Sequence, residues 1–244
     1  MKFFSKPMTL VASLIFVITF LFSACQNSAE KEKEKENSTP ASTVTLHADH
    51  EKYVIDKKES RITWKGWNSL KPDQAHVGYV FVSRGELMIE NDHLAGGVVV
   101  LDMNTITDKD HGSDNNLIHH LKDTDFFDVK TFPITSFIIT GVEPASGHQI
   151  NITGNLTIKG ITQAVTFPAS MEVKDGRVTA LGKVTIDRTK WDVRYNSGKF
   201  YDNLADKAIS DDMEFEMKIV AKEQLISFKF QIFKFQIVNL EFEI

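Results

Sequence analysis

From Tyr53 onward, apolar and polar side chains alternate in short runs separated by Gly, Asn, Asp and Pro. A period of two sends every second side chain to one face, which predicts half-buried antiparallel strands. "SRITWKGW" places Ile62 and Trp64 on one face, and "HVGYVFVSRGELMIE" carries Val77, Tyr79, Phe81, Leu87 and Ile89 on one parity. "HLAGGVVVLDMNTI", "TFPITSFIITGV", "INITGNLTIKG", "TQAVTFPASMEV", "GRVTALGKVTIDR" and "DDMEFEMKIVA" continue the series, which makes roughly eight strands. The glycines of "SRGEL" and "GELMIENDHLAGG" look like hairpin turns. One helix is expected near Asp114 to Lys122, behind the cap-rich "DKDHGSDNN". The expected fold is all-β: a closed antiparallel β-barrel of about eight strands with one short helical insertion, since closure removes the exposed edges that a sandwich keeps. Such a barrel either fills its interior with side chains or holds one elongated ligand, and alternation leaves both open.

The flanks do not follow this pattern. Lys2 and Lys6 precede an apolar run from Met8 to Phe22, too short to span a bilayer comfortably, which predicts a signal peptide over residues 1–24. "LFSA" leads directly into the only cysteine, Cys25, and resembles a bacterial lipobox, so Cys25 is expected to be the acylated first residue of the mature chain. One cysteine forms no internal disulfide. Gln26 to Ser42 is polar and of low complexity, so residues 25–48 are expected to be a flexible membrane tether, with an r.m.s. reach of roughly 20–25 Å. The barrel is expected over 49–222. Residues 223–244 form an atypical tail in which "FKFQI" occurs twice and the apolar parity slips twice, more than one straight strand tolerates.

Losing Lys2 and Lys6 moves the formal charge from -5 to -7, and no Lys/Arg cluster exceeds two residues. Nucleic acid is therefore not an expected partner. Nucleophilic chemistry is not supported either, because there is no Gly-x-Ser-x-Gly elbow and Cys25 is taken up by acylation. The stretch "HHLKDTDFFDVKTFP" concentrates histidine and aspartate. His119 and His120 are adjacent and diverge by about 100° on a helix, so they do not share one ion. His111, His119 and Asp123 make the best available trio for a metal-dependent hydrolase. The preferred account makes them solvated loop and helix residues, with Asp123, Thr124 and Asp128 bonding nearby backbone and Phe126, Phe127 and Phe132 turned inward as a lid at a barrel end. No catalytic residue, metal or cofactor is expected.

Five ordered blocks, "YVIDKKESRITWKG", "LDMNTITD", "HLKDTDFFDVKTFPITSF", "ITGNLTIKGITQAVTFP" and "VTIDRTKWDVRY", resemble the YceI-like polyisoprenoid-binding family over about Lys52 to Ala221. The resemblance implies a lipocalin-like barrel with an apolar tunnel for a long isoprenoid chain, in an exported protein of no established catalysis. Such a ligand needs no charged anchor, because ten buried methylenes give a gross gain near 8 kcal/mol before ordering costs. The expected function is that of an envelope lipoprotein, facing the periplasm and held to the membrane by Cys25, that binds an isoprenoid or other long-chain lipid for storage, protection or transfer. The alternative is an interaction lipoprotein with a solid barrel. Expected tunnel residues are Trp64, Tyr79, Phe81, Phe137, Ile139, Phe167, Met213, Phe215 and Met217, with Trp191, Tyr195, Phe200 and Tyr201 as an amphipathic rim where Arg188 and Arg194 are solvated or meet a headgroup.

Overall fold

The computed structural model describes residues 50–147 and 149–224. The expected signal peptide, Cys25, the tether up to residue 48 and tail residues 225–244 lie outside the described residues. Among the described residues there are nine strands: β1 (Glu51–Ile55), β2 (Arg61–Asn68), β3 (Lys71–Glu90), β4 (His93–Asp108), β5 (Ile134–Pro144), β6 (Gln149–Ile158), β7 (Ile161–Lys174), β8 (Arg177–Asp187) and β9 (Asp212–Glu223). One helix, α1 (Asn116–Lys122), lies between β4 and β5. Each strand pairs antiparallel with its neighbour in chain order from β2 to β9, and β9 pairs back onto β2. This closes an eight-staved barrel. β1 and β2 are two halves of one stave, since both lie between β3 and β9. Glu223 ends β9 and the Gln224 amide donates to Lys52 O, so the first two residues assigned to the tail belong to the barrel.

The break in that stave, at residues 56–60, is mended by side chains. Ser60 Oγ accepts from Val220 N at 2.9 Å and donates to Val220 O at 3.1 Å, joining the Asp56 amide that also reaches that carbonyl at 2.8 Å. Arg177 grips Glu59 with two nitrogens at 3.0 and 2.6 Å, and Lys222 reaches Asp56 and Glu59. The two guanidinium hydrogen bonds, followed by Lys222, pull the Glu59 carboxyl from an ordinary 4.5 to about 2.

Turn chemistry fixes the register elsewhere. Asn91-Asp92, Lys159-Gly160 and Asp175-Gly176 all have positive φ, as two-residue hairpins require. The glycine of "SRGEL" is not a turn: Gly85 sits inside the 20-residue β3, where an added β-carbon would lie 2.5 Å from Ile55 Cδ1. The β3–β4 register shifts between Val82 and Arg84, and this bulge reverses the parity of β3. Gly78, Val80 and Val82 therefore face inward before it, and Leu87 and Ile89 after it. α1 begins at Asn115, whose side chain accepts from the Ile118 amide, and it turns Ile118 and Leu121 into the barrel.

Candidate functional site

The inward-facing residues enclose three apolar spaces in series, with common walls. The central one, about 100 Å³, is bounded by Phe137, Phe167, Phe215 and Met217, with Thr135 the one polar side chain in its lining. Toward the end that carries the Asn91-Asp92 turn, about 50 Å³ lies between Leu87, Leu94, Ile139 and Ile152 and shares Phe137, Phe167 and Met217 with the centre. Toward the end that carries α1, about 40 Å³ lies between Trp64, Met103, Leu121, Phe127 and Met213 and shares Phe215 with the centre. Beyond that is a partly polar mouth, about 390 Å³, where Trp67, His76, Phe126, Arg188 and Ser210 join Trp64, Leu121 and Met213. From Met213 to Ile219 along β9 the three spaces cover about 15 Å of barrel axis, allowing for strand tilt.

Glycines make room for the rings that line this bore. A β-carbon on Gly78 would lie 2.4 Å from Trp64 Cζ2, and one on Gly154 would lie 2.3 Å from Phe137 Cζ. Large side chains thus lie flat against the neighbouring strand and leave the axis open. The wall has one weak seam. β7 pairs with β8 only from Ala169 to Lys174, so Ile161–Pro168 has no β8 partner. Pro168, with no N–H to give, stands where that ladder stops. Val165 and Phe167 on one side of the seam and Val184 on the other line the central space.

Eight of the eleven expected ligand residues are placed in or beside this interior. Trp64, Phe137, Ile139, Phe167, Met213, Phe215 and Met217 line it, and Trp191 is buried next to it. Tyr79 and Phe81 are corrections: Tyr79 stands opposite Thr63, on the face away from Trp64, with Arg61 over its ring, and Phe81 is 38% exposed. The β3 bulge is the physical reason, because one parity cannot face inward on both sides of it. Trp191 is not a rim residue. It is 1% exposed and its Nε1 donates to Leu156 O at 3.0 Å. Phe200 and Tyr201 are about half exposed, outside the bore, with Arg194 stacked 4.6 Å from the Phe200 ring centroid.

Arg188 is neither solvated nor extended toward a surface. It is 1% exposed, and its guanidinium donates to Ser210 O at 2.8 Å, Val193 O at 2.7 Å and Ile209 O at 3.2 Å, tying the β8–β9 connection to the mouth. Burial lowers its pKa, against the pull of Asp211 and Asp187. Lys199 bridges those two carboxylates at 2.6 and 3.3 Å. Burial pushes the Asp187 carboxyl up, but Lys199 and Thr189 outweigh it and hold it below its usual range.

The histidine-rich segment is the plug. Leu121, Phe126 and Phe127 are buried against the barrel end. Each histidine is tied to a different acid: His111 to Asp108 at 3.1 Å, His119 to Asp114 at 3.0 Å and His120 to Asp125 at 3.3 Å, with Tyr195 Oη also on His120. Among the described residues no three acids, histidines or cysteines converge as a metal site. The aliphatic lining, Val99, Leu101, Leu156 and Ile158, was missed by sequence reasoning that favoured large side chains, although the same alternation marks it.

Comparison with known proteins adds the following. The sequence model of the YceI-like domain matches residues 53–221. A UPF0312 protein of Shewanella denitrificans is 29% identical over 124 residues, 48% of this chain and 60% of that relative, so the match spans well under the relative's whole length. Burkholderia cenocepacia BcnA superposes with a TM-score of 0.56 at 22% identity, covering 69% of this chain and 99% of BcnA. A polyisoprenoid binding domain from Saccharophagus degradans does so with a TM-score of 0.51 at 10% identity, over 70% of this chain and 98% of that domain. At these identities the superpositions speak for the fold.

Proposed function

The chain belongs to the YceI-like domain family, and from that we propose that it is a non-enzymatic binding protein whose bore holds one long isoprenoid or other lipid chain. The observation that carries this is the run of three apolar spaces through the barrel, lined almost entirely by hydrocarbon. A polyisoprenoid-binding domain among the structural neighbours supports the choice of ligand class. Met213 stands at the junction with the mouth, and Phe215 and Met217 at the junctions between the spaces, and these adaptable side chains move aside as the chain passes. The seam between β7 and β8 offers an alternative way in for a flexible chain. Export, acylation at Cys25 and anchoring to an envelope membrane from the periplasmic side belong to the same proposal, and they make the protein a tethered carrier or store.

Native mass spectrometry of the purified protein, followed by solvent extraction, tests the reading. The expected result is a long-chain adduct that dissociates from the wild type and is absent from Val165→Trp, which fills the central space without introducing charge. A wild type with only its bare mass, and no uptake of added C20 isoprenoid, contradicts it.

A further inference from the structure

Trp64 stands at the junction of the mouth and the first apolar space, and it lines both. The side chain is 4% exposed, and its ring lies in the space that a β-carbon on Gly78 would take. Its indole Nε1–H is buried and finds no acceptor among the described residues. A donor left unmatched in the interior is disfavoured and native folds rarely keep one, so its retention at the lip of a cavity calls for a partner from outside. The neighbours it shares with both spaces, Leu121 and Met213, carry no oxygen in their side chains. Arg188 across the mouth is a donor too, and three of its N–H groups are already given to carbonyls. The mouth is lined by Lys71 and His76 beside Arg188, whose charge Asp211 meets at 3.8 Å, and no carboxylate is in that lining. The first space, into which the lip leads, is lined by no charged side chain, so an ionic head is disfavoured at the depth of the Trp64 N–H.

We propose that the Trp64 Nε1–H donates to an uncharged oxygen, a hydroxyl, carbonyl or ether, at the head of the chain that occupies the bore. This rests on the lipid-binding reading and sharpens it, since it makes Trp64 the residue that selects oxygen-headed chains over plain hydrocarbons. In a bore with no donor the hydrocarbon would win, because its head loses no hydration on entering.

The test compares wild type with Trp64→Phe, which keeps a ring over Gly78 and removes the N–H. The probes are geranylgeraniol and the C20 hydrocarbon of the same skeleton, measured by equilibrium dialysis. The wild type is expected to bind the alcohol about tenfold more tightly, equivalent to ~1.4 kcal/mol. Trp64→Phe is expected to lose that preference, its affinity for the alcohol falling to that for the hydrocarbon, with folding of the variant checked by circular dichroism and cooperative urea denaturation. With ¹⁵N-labelled indoles, the Trp64 signal should move downfield on adding the alcohol and the Trp191 signal should stay. Equal wild-type affinity for both probes, or a preference that survives in Trp64→Phe, overturns the inference and leaves the lipid-binding reading standing. Binding of neither probe to the wild type overturns both.

Discussion

Two tryptophans, both almost fully buried, are treated in opposite ways. The donors around Trp191 are answered from within: its N–H meets Leu156 O, and Arg188 in the same connection meets three carbonyls, with Asp211 Oδ1 left to an ion pair at 3.8 Å. Around Trp64 the ring is held just as firmly, yet its N–H is unanswered. The first region is finished as protein, and its polar groups serve to hold the β8–β9 connection over the barrel end. The second has space on two sides and a donor to spare, which is how a binding site differs from a core. Burial alone does not separate the two; hydrogen-bond satisfaction does.

The comparison can be broken most severely at Arg188. Arg188→Met removes the donor for three carbonyls, that of Val193 buried and those of Ser210 and Ile209 partly so, and should cost about 3–5 kcal/mol in urea denaturation. A loss below about 1 kcal/mol would mean that the connection holds without it. Next in size is Gly78→Ala, whose β-carbon would meet Thr107 O at 2.0 Å and the Trp64 ring at 2.4 Å. A loss of about 2–3 kcal/mol is expected, with a shift in Trp64 fluorescence, and an unchanged stability would show that the ring is not pinned. The paired substitutions Trp191→Phe and Trp64→Phe isolate the N–H groups themselves. Both lose similar volume, so Trp191→Phe should be the more destabilising by about 1–2 kcal/mol. Equal losses would erase the distinction between the two regions.

The smallest effect lies at the opposite end, where Glu59 and Arg177 clasp the broken stave. Because the folded protein holds Glu59 near 2 against an ordinary 4.5, the contribution of the pair is complete above pH 4.5 and fades as pH falls toward 2. Glu59→Gln should flatten this part of the acid dependence in denaturation curves taken from pH 6 to pH 2. An acid limb identical to the wild type would assign the acid sensitivity to other carboxylates.

Period-two alternation made the barrel legible before any coordinates, because strands that bury one face advertise it and their turns carry Asn, Asp and Gly. It also named the largest side chains of the lining, from Trp64 to Met217, and passed over the smaller aliphatic ones. It failed where the backbone changes phase: the bulge in β3 sends Tyr79 and Phe81 outward and Leu87 inward, and a run of apolar residues does not mark where a bulge falls. Arg188 and Trp191 were misplaced for a different reason. The Asp187–Asp211 connection folds back over the barrel end, and carbonyls distant in sequence supply what water would otherwise give. The orphan N–H of Trp64 has no sequence signature, since satisfaction is a property of the packed interior.

The central claim, that a chain enters the bore, is most directly tested by the methyl signals of methionine. With ¹³C-methyl methionine, geranylgeraniol should shift Met213 and Met217, which line the bore, and leave Met88, outside the core cluster, in place. Shifts confined to Met88 and other outer residues, with Met213 and Met217 unmoved at saturation, would contradict it.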